Sequence, residues 1–443
     1  MDLQKLKTLL KDGGVVGAGG AGFPSYAKLS EKADTIVLNC AECEPLLRLH
    51  RQVLERNAYE ILSALKAVGE LVGAENLIIG IKASYTAALE ALKAQKDSFP
   101  EIQISEMKSF YPTGDEVILI YETTGRVVPP GGLPIEVGVT VFNVETMLNI
   151  YNVIKNEKPV TKKYVTVTGE VAKPITLEVP IGITIKELVD LAGGTTVKEA
   201  AYINGGPMMG NLASPYDVVT KTTNAVVVLP KNHHVINKKT AKISIDMKRA
   251  MAACCQCRMC TDLCPRNLLG HPIVPSEFMR SASSGDTQDT MMLLDTMFCS
   301  QCGICEMYAC GQGLSPRTLI GEYKARLRKE GIKPRKDVKL QPVSPARDYR
   351  RVPTYRVVTR LGLGKYDRPA PFEEVDYKPG KVKIMLSQHI GAPATAVVKA
   401  GDKVEVGQLI ASVPQEALGV NIHASVNGRV ADVTEKFITI EAE

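Results

Sequence analysis

Short β-rich runs recur through the first 158 residues: TIVLN (35–39), NLIIGI (76–81), IQISEM (102–107) and VTVFN (139–143). Helical patterns separate them at 45–73, 85–97, 115–124 and 145–156. Apolar strands alternating with helices predict an α/β domain over 1–158, its mainly parallel sheet covered on both faces. Ligands of such folds gather at the carboxyl ends of the strands.

The pattern changes at 162. YVTVTGEV, Pro174, ITLEVPIG, a short helix near 184–192 and the loop INGGPMMG (203–210) predict a small β-rich α+β unit over 162–235. Residues 245–325 are helical in character and carry most of the cysteines. Residues 326–378, rich in Pro, Arg and Lys, predict an extended connector of which YRVVTRLGLG packs. Strands and Gly turns return over 379–443, in VVKAGDKVEVGQLIASV and IHASVNGRVADV, which resemble a biotinyl/lipoyl-like barrel-sandwich fold. Carrier domains of that type bear a modified lysine at a hairpin tip. The corresponding turn, VPQEALGVN, has none, so a structural or docking module is expected.

The chain has 443 residues and a net charge of +6, too mild to imply nucleic acid. No stretch of about 18 apolar residues appears, so no membrane span is expected. The N-terminal MDLQKLKTLLKDGG is amphipathic and lacks the apolar core of a secretory signal. Eleven cysteines in such a chain argue for metal in a reducing, cytoplasmic setting and against disulfides.

Two cysteine runs carry the strongest chemistry. Cys254, Cys257, Cys260 and Cys264 follow C-x2-C-x2-C-x3-C, with Pro265 next. Cys299, Cys302 and Cys305 repeat the spacing, and Cys310 closes the run one residue late. Thiolates so spaced hold three corners of an iron–sulfur cube, and the fourth cysteine often ligates the other cluster. The expectation is two [4Fe–4S] clusters: Cys254, Cys257, Cys260 and Cys310 on one, Cys299, Cys302, Cys305 and Cys264 on the other. Structural zinc usually draws on two separated pairs, which this spacing suits poorly. Cys255 is read as a bystander.

Gly17, Gly19 and Gly22 satisfy G-x-G-x-x-G. A dinucleotide fingerprint follows a strand and opens a helix. Here a helix precedes and Pro24 follows, so what remains is a backbone free of Cβ atoms, able to approach a phosphate or flat ring. NCAECEP (39–45) ends the first strand with Glu42 and Glu44. YPTGDEV (111–117) places Asp115 and Glu116 on a first helical turn, where acids also serve as plain caps. FNVET (142–146) brings Asn143 and Thr146 to another strand end. Three strand ends and a glycine loop converge on one rim, with groups suited to a flavin.

GAGGAGFPSYAKL (17–29), NCAECEP, YPTGDEV and FNVET resemble, in the same order, the flavin-site segments of the NADH-oxidising subunit of respiratory complex I. With INGGPMMG and the two cysteine runs, the chain resembles the RnfC-like family. Its C-terminal barrel-sandwich and the phrase CEMYAC (305–310) are most similar to the cobalamin-reductase branch. The resemblance implies a complex I-like flavin domain, an SLBB-type β-grasp domain, a two-cluster ferredoxin-like domain and a barrel-sandwich hybrid. It also implies that Gly17, Gly19, Gly20 and Lys28 line the FMN phosphate and ring, with Asn39, Glu42 and Cys43 along one side. Gly114, Asp115, Glu116, Asn143 and Thr146 close the site, and Phe23, Glu44 and Tyr111 lie near NADH. Ala18, Ala41, Cys43 and Val128 depart from the complex I pattern, and Ala18 and Val128 keep open a relay that has lost its NADH site.

NADH gives electrons in pairs and clusters take them singly; flavin does both. The implied acceptor is cob(II)alamin or a redox partner protein, the implied setting cytoplasmic or within a bacterial microcompartment. The alternative in the same family is a peripheral subunit of an NADH/ferredoxin membrane complex. His389 and His423 read as ordinary surface or core histidines, and His271 as either a cap or a cluster-tuning group.

Overall fold

The computed structural model describes residues 1–443. Its first sheet has four parallel strands in the spatial order Ile102–Met107, Asn76–Lys82, Thr35–Cys40, Val139–Asn143. The alternation of side chains along Thr35–Cys40 serves two cores. Ile36, Leu38 and Cys40 join one with the helices Ala58–Val72 and Val144–Asn156, while Val37 joins another with Glu116–Thr124. Burial on both faces is what a parallel sheet requires. The chain adds strands in one direction from Thr35–Cys40, then returns to place Val139–Asn143 on its other side. The switch point thus lies where Asn39 pairs with Asn143.

The single helix expected over 45–73 is two, Leu49–Arg56 and Ala58–Val72, broken at Asn57. The turn before them holds Leu46 at φ 71°.

A six-stranded sheet follows, in the order Phe372–Glu373, Ile175–Pro180, Lys162–Gly169, Ala225–Pro230, Ala200–Asn204, Asn211–Ala213. Its helix Ile185–Leu191 starts on a capping box of Thr184 and Glu187. The edge strand Phe372–Glu373 comes from the connector. A second connector strand, Val352–Pro353, pairs with Phe110–Tyr111. Arg351 reaches Glu122 at 3.0 Å, and Thr354–Arg360 is helical. The connector is therefore strapped to the sheets by backbone pairing, more ordered than its composition predicts.

The cysteines sit among short helices, from Ile243–Ala253 to Pro316–Lys329. Beyond 380, two small antiparallel sheets form the C-terminal sandwich. No helix is long and apolar enough to cross a membrane.

Candidate functional site

A cavity of about 400 Å³ opens at the switch point, within the usual range of ligand pockets. Gly17, Gly19, Gly20, Phe23, Lys28, Asn39, Glu42, Cys43, Glu44, Gly114, Glu116, Asn143 and Thr146 all line it. Of the expected flavin and nucleotide residues, only Asp115 and Tyr111 do not.

The glycine loop is a hairpin. Val16 bridges Pro24, and the Gly17 N–H donates to the Phe23 carbonyl at 2.9 Å. The Ala18 N–H donates to Thr146 Oγ1 at 2.8 Å, tying the loop to the first turn of the helix Val144–Asn156. Gly20 has φ +67°, and a Cβ at Gly19 would sit 3.0 Å from Asn224 Nδ2. A Cβ at Gly114 would lie 2.3 Å from the Ala41 carbonyl oxygen, so two cavity walls meet backbone to backbone there. Lys28 Nζ is fixed by the Val141 carbonyl at 3.0 Å and Glu116 at 3.2 Å.

Glu42 is buried, yet neither carboxylate oxygen has a hydrogen-bond partner. The His50 ring lies beside it, Nδ1 at 3.8 Å from Oε1. Burial pushes the His50 pKa down against the pull of Glu42 and Glu145, so its ring is neutral. Unpartnered acceptors in a buried cavity are costly unless a ligand brings donors. The N–H edge and ribityl hydroxyls of a flavin supply them, so the donor set fits FMN. Burial also pushes the Cys43 thiol up to about 12, leaving a neutral S–H on the wall.

Sequence reasoning missed His50, Ser25 and Asn224, which also line the cavity. Asn224 arrives from the six-stranded sheet, its Oδ1 held by Lys163 Nζ at 2.8 Å. Lys163 pairs in turn with Glu145, both side chains 1% exposed. Only folding brings these segments together, and no local spacing signals it.

Asp115 caps Glu116–Thr124, accepting from the Val117 and Ile118 N–H groups at 3.1 and 3.2 Å. Its other oxygen meets Arg266 at 2.9 Å, one residue beyond Pro265. The Tyr111 hydroxyl donates to the Cys302 carbonyl at 2.5 Å. Both residues face the cysteine region. Glu44 touches both sides: it lines the cavity and accepts from the Met208 and Met209 N–H groups at 2.9 and 2.7 Å.

Cys254, Cys257, Cys260 and Cys310 line a second cavity of about 70 Å³. Cys264, Cys299, Cys302 and Cys305 lie close enough that their charges act on one another. The structure thus brings the members of each expected quartet near one another, with Cys255 also on the wall of the first cavity. No three His, Cys, Asp or Glu side chains converge tightly enough to hold a single metal ion. The late Cys310 has a local cause: Cys305–Ala309 forms a π-turn, which absorbs one extra residue. Burial pushes Cys260, Cys264 and Cys302 up to about 12. Thiolates in so dry a place need iron's positive charge beside them, which a cluster provides. Cys299 Sγ accepts from Gln301 Nε2 at 3.2 Å and Cys310 Sγ from the Leu314 N–H at 3.3 Å. Hydrogen bonds of this kind tune cluster potentials.

His271 is buried and its Nε2 meets the Val128 carbonyl at 3.0 Å, a structural tie. Val128 is itself wholly buried and does not line the flavin cavity.

Fold and site together define a flavin- and iron–sulfur-dependent oxidoreductase. Residues 10–152 match the Nuo51 FMN-binding domain, 164–212 the SLBB domain, 253–315 a 4Fe-4S dicluster domain, and 368–443 the RnfC barrel sandwich hybrid domain. The chain is 41% identical to the cobalamin reductase PduS of Citrobacter freundii, covering 99% of this chain and 97% of that one. It is 35% identical to a component of the Na(+)-translocating ferredoxin:NAD(+) oxidoreductase complex of Acetobacterium woodii, over 60% of this chain and 59% of that one. An NAD+-reducing [NiFe]-hydrogenase shares the fold at 21% identity, with a TM-score of 0.50 over 76% of this chain and 64% of that one. The chain belongs to the PduS family of RnfC-like proteins. FMN and two [4Fe–4S] clusters are its cofactors.

Proposed function

We propose that the protein oxidises NADH at FMN and delivers the electrons singly, through both clusters, to cob(II)alamin. The observation that carries this reading is the cavity at the switch point, where all but two of the expected flavin and nucleotide residues line a single wall-to-wall space.

FMN converts paired electrons into single ones. The chain's own residues do the binding and orienting. The glycine hairpin and Lys28 hold the phosphate end, where bare N–H groups and one cation suit an anion. Asn39, Asn143 and Glu42 take the polar edge of the ring. Phe23, 36% exposed at the cavity mouth, stacks on the incoming nicotinamide or adenine. Glu44 stands at the same mouth. The family supports NADH as donor, and the relatives' printed activity supports cob(II)alamin as acceptor. A cytoplasmic site of action, with enclosure in a microcompartment, goes with that reading.

The test uses protein purified without oxygen and loaded with FMN and iron–sulfide. NADH is expected to bleach both the flavin and cluster absorption, and cob(II)alamin added next is expected to become cob(I)alamin. Clusters that ignore NADH yet accept electrons from dithionite would instead mark a relay.

A further inference from the structure

We propose that electrons leave this chain from the Cys254/Cys257/Cys260/Cys310 quartet, and that a mostly cationic face around that quartet docks an acidic carrier protein as a second acceptor beside cob(II)alamin. This rests on the proposed flow from flavin to clusters and names its exit.

The two quartets stand differently towards the flavin cavity. Cys43, on the cavity wall, packs in the same apolar cluster as Tyr111, Met208 and Cys302. The Tyr111 hydroxyl then reaches the Cys302 carbonyl. Electron tunnelling falls steeply with distance, so the cluster held by Cys302 takes electrons first. Cys254 and Cys310 pack instead against a core of Phe278, Met279, Leu314 and Leu319, which Cys299 also touches. That shared core places the two quartets side by side. The far quartet opens outward, with Cys257 exposed.

Cations outnumber acids on the surface around it, where Asp262 is partly exposed and lies 4.0 Å from Arg350. Lys248, Arg249 and Arg258 are exposed, while Asp246, the acid on the same helix, is buried. Arg249 donates to the Gly313 carbonyl at 3.3 Å and Arg360 to the Cys310 carbonyl at 3.2 Å, so both cations are held against the segment that carries Cys310. Ile245, Met251 and Met259, in the same stretch of chain, are exposed. Exposed apolar side chains among mostly cationic neighbours suit a protein partner of opposite charge, because the charges steer the encounter and the apolar surface is buried on contact. The electron balance is simple: NADH becomes NAD+ and a proton, and two oxidised carriers each gain one electron.

Two experiments test this with the full, cofactor-loaded chain. In the first, dithionite poises the protein and the spin relaxation of one-electron-reduced flavin is measured by EPR. A neighbouring reduced cluster makes that relaxation fast. Cys257→Ala, which removes the outer cluster, is expected to leave it fast, and Cys305→Ala to slow it. If Cys305→Ala does not hold flavin, Cys257→Ala decides alone: slow relaxation in it overturns the order. NADH is not used here, so a failure of NADH to reduce the protein would strike the proposed donor without touching the exit. In the second, oxidised flavodoxin serves as an acidic probe and cytochrome c as a basic one. Arg258→Glu is expected to slow flavodoxin reduction at low salt about tenfold, with the difference fading as salt rises. An unchanged flavodoxin rate, or a preference for cytochrome c in the unmodified chain, overturns the acidic partner.

Discussion

Lys221 is a buried lysine without a carboxylate. It is 2% exposed, and its ammonium donates to the carbonyls of Gly14 at 2.7 Å and Asn421 at 3.1 Å. Burial pushes its pKa down from 10.5 to about 7. His423 beside it is held neutral, its pKa pushed down to about 3 by burial first and Lys221 second. The folded pKa lies below the unfolded one, so between about 7 and 10.5 the unfolded chain binds the extra proton. Stability is expected to rise with pH across that window, and to lose that increment as pH falls through 7. Lys221→Met should flatten the slope, read from urea midpoints at several pH values; an unchanged slope would place the titration elsewhere. The Lys163–Glu145 pair makes the opposite kind of statement. Both partners are buried, and removing one strands the other, at a cost of about 3–5 kcal/mol. Glu145→Gln should lower the urea midpoint accordingly and, since Lys163 also holds Asn224, weaken flavin retention. Residue types on the flavin rim were legible because glycines, acids and amides at strand ends have few other reasons to cluster. Tyr111 was not: its ring belongs to the right motif, but only the folded chain shows its hydroxyl on the Cys302 carbonyl.

Among the elements, the INGGPMMG loop joins the most parts. Glu44 grips its backbone from the flavin side. Arg317 Nη1 donates to the Met208 carbonyl at 3.3 Å from the cluster side. Gly206 is required by space: a Cβ there would lie 2.1 Å from Glu44 Oε2 and 2.5 Å from Glu44 Cβ. The second contact is with the base of the side chain, which has little freedom to move. Gly206→Ala should therefore cost about 1–3 kcal/mol by overpacking and loosen Glu44 from the cavity wall. A lowered melting temperature together with flavin lost on desalting is the expected pair; a variant with full flavin and an unshifted melt would refute the clamp. Strand positions were readable because two-sided burial writes itself as continuous apolar runs. Helix limits were less so. The period of 45–73 continues across Asn57, yet the chain turns there, and the first helix meets the six-stranded unit, Gln52 Nε2 donating to the Ala370 carbonyl at 3.0 Å and Thr176 Oγ1 at 3.3 Å. The connector strands at 352–353 and 372–373 carry no pattern long enough to read.

At the scale of the whole molecule, the sequence reads as a string of units, but the cores do not divide that way. Val165, Leu177, Val226 and Val228 of the six-stranded sheet share one hydrophobic cluster with Ile384, Ile410, Val430 and Ile438 of the C-terminal sandwich. Backbone bonds cross the same seam, the Lys383 N–H donating to the Gly182 carbonyl at 2.9 Å. The sandwich then reaches the flavin site itself. The Ile390 N–H donates to the Ala21 carbonyl at 3.0 Å, and Gly22 packs against His389. A module without a carrier lysine thus has a mechanical role: it backs the glycine hairpin from behind. Units that share a core should open together. Ile384 is wholly buried, and truncating it leaves a cavity worth about 2–5 kcal/mol. In Ile384→Ala, hydrogen exchange should quicken in Lys162–Gly169 and Ile175–Pro180 as much as in Phe437–Ala442. The parallel strand Asn76–Lys82, in a separate core, should keep its protection. Faster exchange confined to the C-terminal strands would mean that the two units are independent, and that the hairpin is held by its own hydrogen bonds alone.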